Sequence, residues 1–138
     1  MIPFKAMGLD HLVLRIADLP RALSFYCDVL GCVVEREQKE IGLTQLRIGA
    51  SLIDLITLDG YLGRRGGAAP GEDARNLDHF AIAVTPFDEP AIRAHLARHG
   101  VVVVEAGQRY GAEGEGPSVY VKDPEGNVVE LKGPAGPV

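Results

Sequence analysis

Four side chains concentrate the chemistry of this sequence: His11, Asp54, His79 and Glu130. The two imidazoles stand near the start of matching stretches, Asp10-His11-Leu12-Val13-Leu14 and Asp78-His79-Phe80-Ala81-Ile82. The two carboxylates sit inside apolar runs, Leu52-Ile53-Asp54-Leu55-Ile56 and Val128-Val129-Glu130-Leu131-Lys132. A carboxylate buried in such a run is costly unless it is paired or bound to a cation. Two imidazoles and two carboxylates suit a divalent ion of borderline or moderate hardness: Zn, Ni, Fe(II), Mn or Co. A set of two histidines and one carboxylate leaves positions open for water or substrate, as catalysis requires.

The elements that must position these groups come in two copies. After its histidine strand, the first copy has Pro20, suited to the first turn of a helix, and a helix reaching Leu30 and ending at Gly31. The second has Pro86 to Glu89 and then a helix ending at Gly100. The offsets agree: 79 − 11 is 68 and 100 − 31 is 69. Each helix leads into β-branched residues, Val33-Val34 and Val101 to Val104, and then into two further strands. These are about 43–48 and 52–58 in the first copy, 118–122 and 127–132 in the second. The turn Asp123-Pro124-Glu125-Gly126-Asn127 separates the last pair. The spacing predicts an α+β fold of two βαβββ modules, about 9–58 and 78–132. The Gly-rich segment 59–77, with Arg64 and Arg65, reads as a mobile linker, and 107–117 as an irregular interruption. Related by a pseudo-twofold axis, the modules would gather both histidine–carboxylate pairs around one point. Strand alternation puts Arg15 on the face of His11 and Val13, and small Ala81 and Ala83 on the face of His79.

Bulk properties exclude several classes. A chain of 138 residues with 46% apolar content fits one domain with a real core. Its net charge of −5 argues against a nucleic-acid partner. No apolar run approaches the roughly 20 residues that cross a bilayer. The first residues lack a signal-like apolar stretch, so a cytoplasmic location is expected. Cys27 and Cys32 make no disulfide framework or Cys-x-x-Cys motif and read as reduced thiols. His95 and His99 read as surface or boundary positions of the second helix, Ser24 and Ser118 have no triad context, and the glycines of the linker lack the frame of a nucleotide loop.

The motifs together resemble the vicinal oxygen chelate superfamily, which includes glyoxalase I, fosfomycin-resistance enzymes, bleomycin-resistance proteins and extradiol dioxygenases. They are Asp10-His11, the Phe25-Tyr26 to Val29-Leu30-Gly31 helix end, Asp78-His79, and Asp123 to Asn127 followed by Glu130-Leu131. That resemblance implies a cup-shaped mixed sheet with helices outside, a divalent metal (Zn, Ni, Fe or Mn) and a homodimer in which sites are shared. It implies His11, His79 and Glu130 as ligands, Glu130 also as catalytic base, and Asp54 at the fourth ligand position, where glyoxalase I normally has Glu. Arg15 matches an arginine that holds a glutathione carboxylate in bacterial glyoxalase I, which makes glutathione a candidate co-substrate. Tyr120 matches a substrate-contacting tyrosine of the fosfomycin enzymes. Those enzymes carry threonine where this chain has Val13, and an arginine beyond the last ligand that is missing here, which disfavours fosfomycin transfer. Gly111-Ala112-Glu113-Gly114-Glu115 looks like the same region of uncharacterised glyoxalase-domain proteins.

Three activities follow as expectations. The first is lyase or isomerase chemistry on a small substrate chelated through two oxygens, with Arg15, Arg109 or Tyr110 holding a substrate anion and the Arg64-Arg65 linker closing over it. The second is Fe(II) extradiol-type oxygenation, and the third is antibiotic or small-molecule binding without catalysis.

Overall fold

The computed structural model describes residues 1–136. The chain divides into two compact units, Met1–Ala69 and the part from Pro70 onward. The division falls inside the glycine-rich segment that joins the repeats.

The first unit runs β1 (His11–Ile16), α1 (Leu19–Leu23), β2 (Val33–Gln38), β3 (Leu43–Ile48) and β4 (Ser51–Thr57). Its strands make one mixed sheet in the order β1-β4-β3-β2. β1 lies parallel to β4, and the other two pairings are antiparallel. The second unit repeats this with β5 (Phe80–Ala83), α2 (Glu89–Arg98), β6 (Val103–Gly111), β7 (Gly114–Lys122) and β8 (Val128–Lys132), in the order β5-β8-β7-β6. Two four-stranded mixed sheets with short helices give the α+β class that the repeat predicts.

Both helices start the same way. Asp18 and Asp88 are N-caps whose carboxylates accept from the N–H groups of Arg21 and Ala91, satisfying donors the helix leaves open. The first helix does not continue regularly to its glycine. From Ser24 to Val29 it widens into π-helical turns, with Leu30 N–H donating to Phe25 O. Such a turn puts one extra residue into the helix, here beside the buried rings of Phe25 and Tyr26, which meet edge to face at 4.9 Å. Gly31 (φ 81°) and Gly100 (φ 71°) then end the two helices in the left-handed region.

Strand alternation sets the two faces of each sheet. In the first unit Leu14, Ile16, Leu46, Ile53 and Leu55 are buried; in the second, Val119, Val121, Val129 and Leu131 are. These residues form the cores, and the chemistry-bearing positions alternate with them.

Two stretches differ from the sequence expectation. Residues 107–117 are not irregular: most of them extend β6 and β7 into a long hairpin that turns at Ala112-Glu113, with Gly111 paired to Gly114. Most residues of β6 are only partly buried or exposed, so no apolar alternation marks it as a strand. The segment from 59 is not wholly a free linker either. Gly63–Gly66 form a 3₁₀ turn, and Arg15 donates to the carbonyls of Gly63, Gly67 and Ala68. A Cβ at Gly66 would collide with the Arg15 guanidinium, so glycine there admits it. Arg15→Met should release this turn, because roughly 1 kcal/mol is lost with each such hydrogen bond. Tryptic cleavage after Arg64 and Arg65 is the measurement; it should accelerate with little change in Tm.

Candidate functional site

Each unit builds one histidine–carboxylate pair from repeat-equivalent strand positions. In the second unit Glu130 is the central residue of β8, flanked by Ala81 on β5 and Tyr120 on β7. It is 6% exposed. His79 stands just ahead of β5, with Nε2 3.1 Å from Glu130 Oε1. Ser118, fully buried, donates its hydroxyl to Glu130 Oε2 at 2.6 Å. Tyr120 also hydrogen-bonds to Glu130, and Arg109 Nε donates to the Tyr120 hydroxyl at 3.2 Å. Burial alone would push the Glu130 carboxyl up. The hydrogen bonds from Ser118 and Tyr120, and the charge of His79, outweigh it and hold the group below the usual carboxylate range. Glu130 is therefore ionised at neutral pH.

The first unit has the same frame with other partners. Asp54 is flanked by Val13 on β1 and Gln45 on β3, and is 5% exposed. Gln45 Nε2 reaches both carboxylate oxygens at 3.2 Å. His11 Nε2 lies 4.0 Å from Asp54 Oδ2. The two carboxylates thus have different surroundings: Glu130 is met by a histidine and two hydroxyls, Asp54 mainly by an amide.

The histidines share one device. Asp10 accepts from His11 Nδ1, and Asp78 from His79 Nδ1, both at 2.7 Å. These contacts are the leading cause that raises both imidazoles above their ordinary pKa. They also fix each ring so that Nε2 is the nitrogen left for a cation, the arrangement usual around metal-bound histidine.

The donor set fits a divalent ion. Two ligand atoms each about 2.1 Å from one ion and at a right angle lie about 3.0 Å apart. The His79–Glu130 spacing matches that value; the His11–Asp54 spacing exceeds it. Among the described residues neither unit by itself gathers three metal-donor side chains, so each supplies at most a pair. If Glu130 holds a metal, Ser118→Ala should leave the fold intact and weaken metal retention by about 10–100-fold, the usual loss when a partner behind a ligand is removed. Titrating chelator against the loaded protein checks it.

The remaining expected site residues are distributed unevenly. Tyr120 is buried against Glu130, its ring centroid 5.5 Å from that of His79. Arg109 lies over the Tyr120 ring and pairs with Glu105 at 3.3 Å. Arg15 is engaged by three backbone carbonyls of its own unit. A cavity of about 640 Å³ opens beside His79 and Glu130; Ala81, Ala83, Tyr110 and Lys132 are among its walls. Sequence reading missed Gln45 and the role of Ser118. The hairpin turns carried a signal for the first: pairing Ile48 with Ser51 puts Gln45 opposite Asp54.

Comparisons with known proteins agree with this architecture. The profile of the Glyoxalase/Bleomycin resistance protein/Dioxygenase superfamily matches residues 8–131. The Virulence protein STM3117 of Salmonella typhimurium is 30% identical over 127 residues, 89% of this chain and 81% of that protein. Its crystal structure superposes with a TM-score of 0.73 at 25% identity, covering 96% of this chain and all of that one. The Glyoxalase domain-containing protein RDO1 of Mycosarcoma maydis is 33% identical over 125 residues, 90% of this chain and 66% of its own length. The Catechol-2,3-dioxygenase of Bacillus subtilis is 28% identical over 120 residues, 86% of this chain but 38% of the enzyme. With its repeated sheets and near-complete profile match, the chain belongs to the Glyoxalase/Bleomycin resistance protein/Dioxygenase superfamily.

Proposed function

We propose that this chain is a divalent-metal-dependent enzyme acting as a lyase or isomerase on a small substrate chelated through two neighbouring oxygens. The observation that carries this reading is Glu130: a carboxylate 6% exposed, kept ionised, spaced from His79 Nε2 as two ligands of one ion would be, and open to a cavity. A purely structural carboxylate at the centre of a strand would face no cavity and need no histidine.

In this reading His11, His79 and Glu130 hold the ion, with Asp54 at the fourth position, the donors coming from both modules of one chain or of a homodimer. When bound, the ion supplies Lewis acidity to the substrate oxygens. The chain's own groups do the rest. Asp10 and Asp78 keep both imidazoles oriented through Nδ1. Glu130 accepts the substrate proton as base, and Ser118 and Tyr120 keep its carboxylate aimed. Arg109 holds the Tyr120 hydroxyl through Nε, and Ala81 and Ala83 leave room for the substrate. Glutathione remains the candidate co-substrate of the glyoxalase-type reaction.

A second reading, Fe(II) oxygenation with three protein ligands, draws on Asp54. Gln45 occupies both of its oxygens, and His11 is farther from it than ligands of one ion at a right angle would be. A two-histidine, one-carboxylate set is the usual ligand triad of such oxygenases. Assays of the loaded protein separate the two. Methylglyoxal–glutathione turnover with Ni or Zn supports the lyase; oxygen uptake with a catechol and Fe(II) supports the oxygenase. Absence of both activities with every metal would reject both.

A further inference from the structure

Lys132 is two residues beyond Glu130 on β8, so both side chains stand on one face of the strand, about 7 Å apart along it. Its neighbours across the sheet are Ala83 on β5 and Ser118 on β7. The same cavity of about 640 Å³ is lined by His79, Glu130 and Lys132. Two glycines border the lysine: a Cβ at Gly111 would stand 3.0 Å from its Cε, and one at Gly116 would collide with the Pro134 carbonyl and stand 2.9 Å from Nζ. Nζ donates to Gly133 O at 3.1 Å. Among the described residues no carboxylate pairs with it. An ammonium has three donors, so two remain for a ligand.

The repeat sharpens the contrast. In the first unit the position equivalent to Lys132 is Ile56, and the cation opposite it on β1 is Arg15, already bound to three carbonyls. Lys132, by contrast, lines the open cavity of its own unit.

We infer that Lys132 is the specificity-determining residue for an anionic group of the substrate. The substrate then has a vicinal-oxygen head at His79 and Glu130 and a carboxylate or similar anion a few bonds away on Lys132. This inference rests on the proposed metal-site reading and adds the substrate class to it.

Two five-carbon keto acids that differ in the distal carboxylate test it: 2-oxoglutarate and 2-oxovalerate, titrated calorimetrically into Zn-loaded full-length protein. Wild type should bind 2-oxoglutarate about tenfold tighter or more, a difference of the size one charge-assisted contact supplies. Lys132→Met should bring the ratio to about one, because it removes the charge and keeps an unbranched chain of similar length. A ratio near one in wild type, a preference that survives Lys132→Met, or binding of neither acid would overturn the inference. Failure of the metal reading has its own signature: wild type then retains no Zn before any ligand is added.

Discussion

Glu130→Gln is expected to abolish turnover and to cut metal affinity on the order of 100-fold or more, since losing a group behind a ligand already costs about 10–100-fold. Glutamine preserves the shape and can still accept the hydrogen bond from Ser118, so the strand should remain folded. What it removes is the charge that faces His79 and the base that takes the proton. Metal content by mass spectrometry, read together with Tm, separates the two effects. Loss of metal with Tm within a few degrees of wild type is the expected pattern. Full metal retention would remove Glu130 from the ligand set.

The second large effect concerns the face of the sheet opposite the site. Leu55 is fully buried, adjacent to Asp54, and paired with Leu14 on β1 and Thr44 on β3. Leu55→Ala leaves a cavity in the first core and should cost about 2–5 kcal/mol. Tm should fall by roughly 10 °C or more. Val13 is the contrast, because it sits on the other face and is 48% exposed. Val13→Ala should stay within about 0.5 kcal/mol of wild type. Denaturant melts of the two variants check the assignment of faces. Equal losses would mean that the alternation along the first sheet is misassigned.

Much of this organisation was readable from the residues because the chain repeats itself. A histidine near the first strand and a carboxylate within the last recur at matched offsets, and the helices between them start and stop on the same residue types. Short turns made register readable too. The Asp123–Asn127 turn pairs Lys122 with Val128 and so sets Tyr120 opposite Glu130. What escaped is what the hydrophobic pattern does not encode. The hairpin through residues 107–117 is glycine-rich and polar, so its pairing is fixed by backbone hydrogen bonds with no apolar signature. The π-helical turns after α1 depend on how Phe25 and Tyr26 pack. Arg15 was legible as a residue of the histidine face, but its partners are carbonyls about 50 positions away, which no local pattern indicates. The difference between Asp54 and Glu130 likewise lies in their cross-strand partners, an amide in one case and two hydroxyls in the other.

The two modules hold their matching residues differently. The first keeps a histidine and a carboxylate but ties Arg15 to the segment that follows β4. The second keeps the pair in contact, supports it with Ser118 and Tyr120, and leaves a lysine facing the cavity. In the proposed reading the second module contributes the base, the substrate contacts and the ligands His79 and Glu130, and the first contributes His11 and Asp54.

Metal retention by the purified full-length chain tests the central claim most directly. The protein is stripped with chelator, loaded separately with Zn, Ni, Mn and Fe(II), dialysed and analysed by mass spectrometry beside His79→Ala. Wild type should retain at least one of these ions in stoichiometric amount, and His79→Ala should lose it while keeping its circular dichroism spectrum. A wild-type chain that retains none of the four, or a His79→Ala variant that retains as much as wild type, would contradict a metal held by His79 and Glu130.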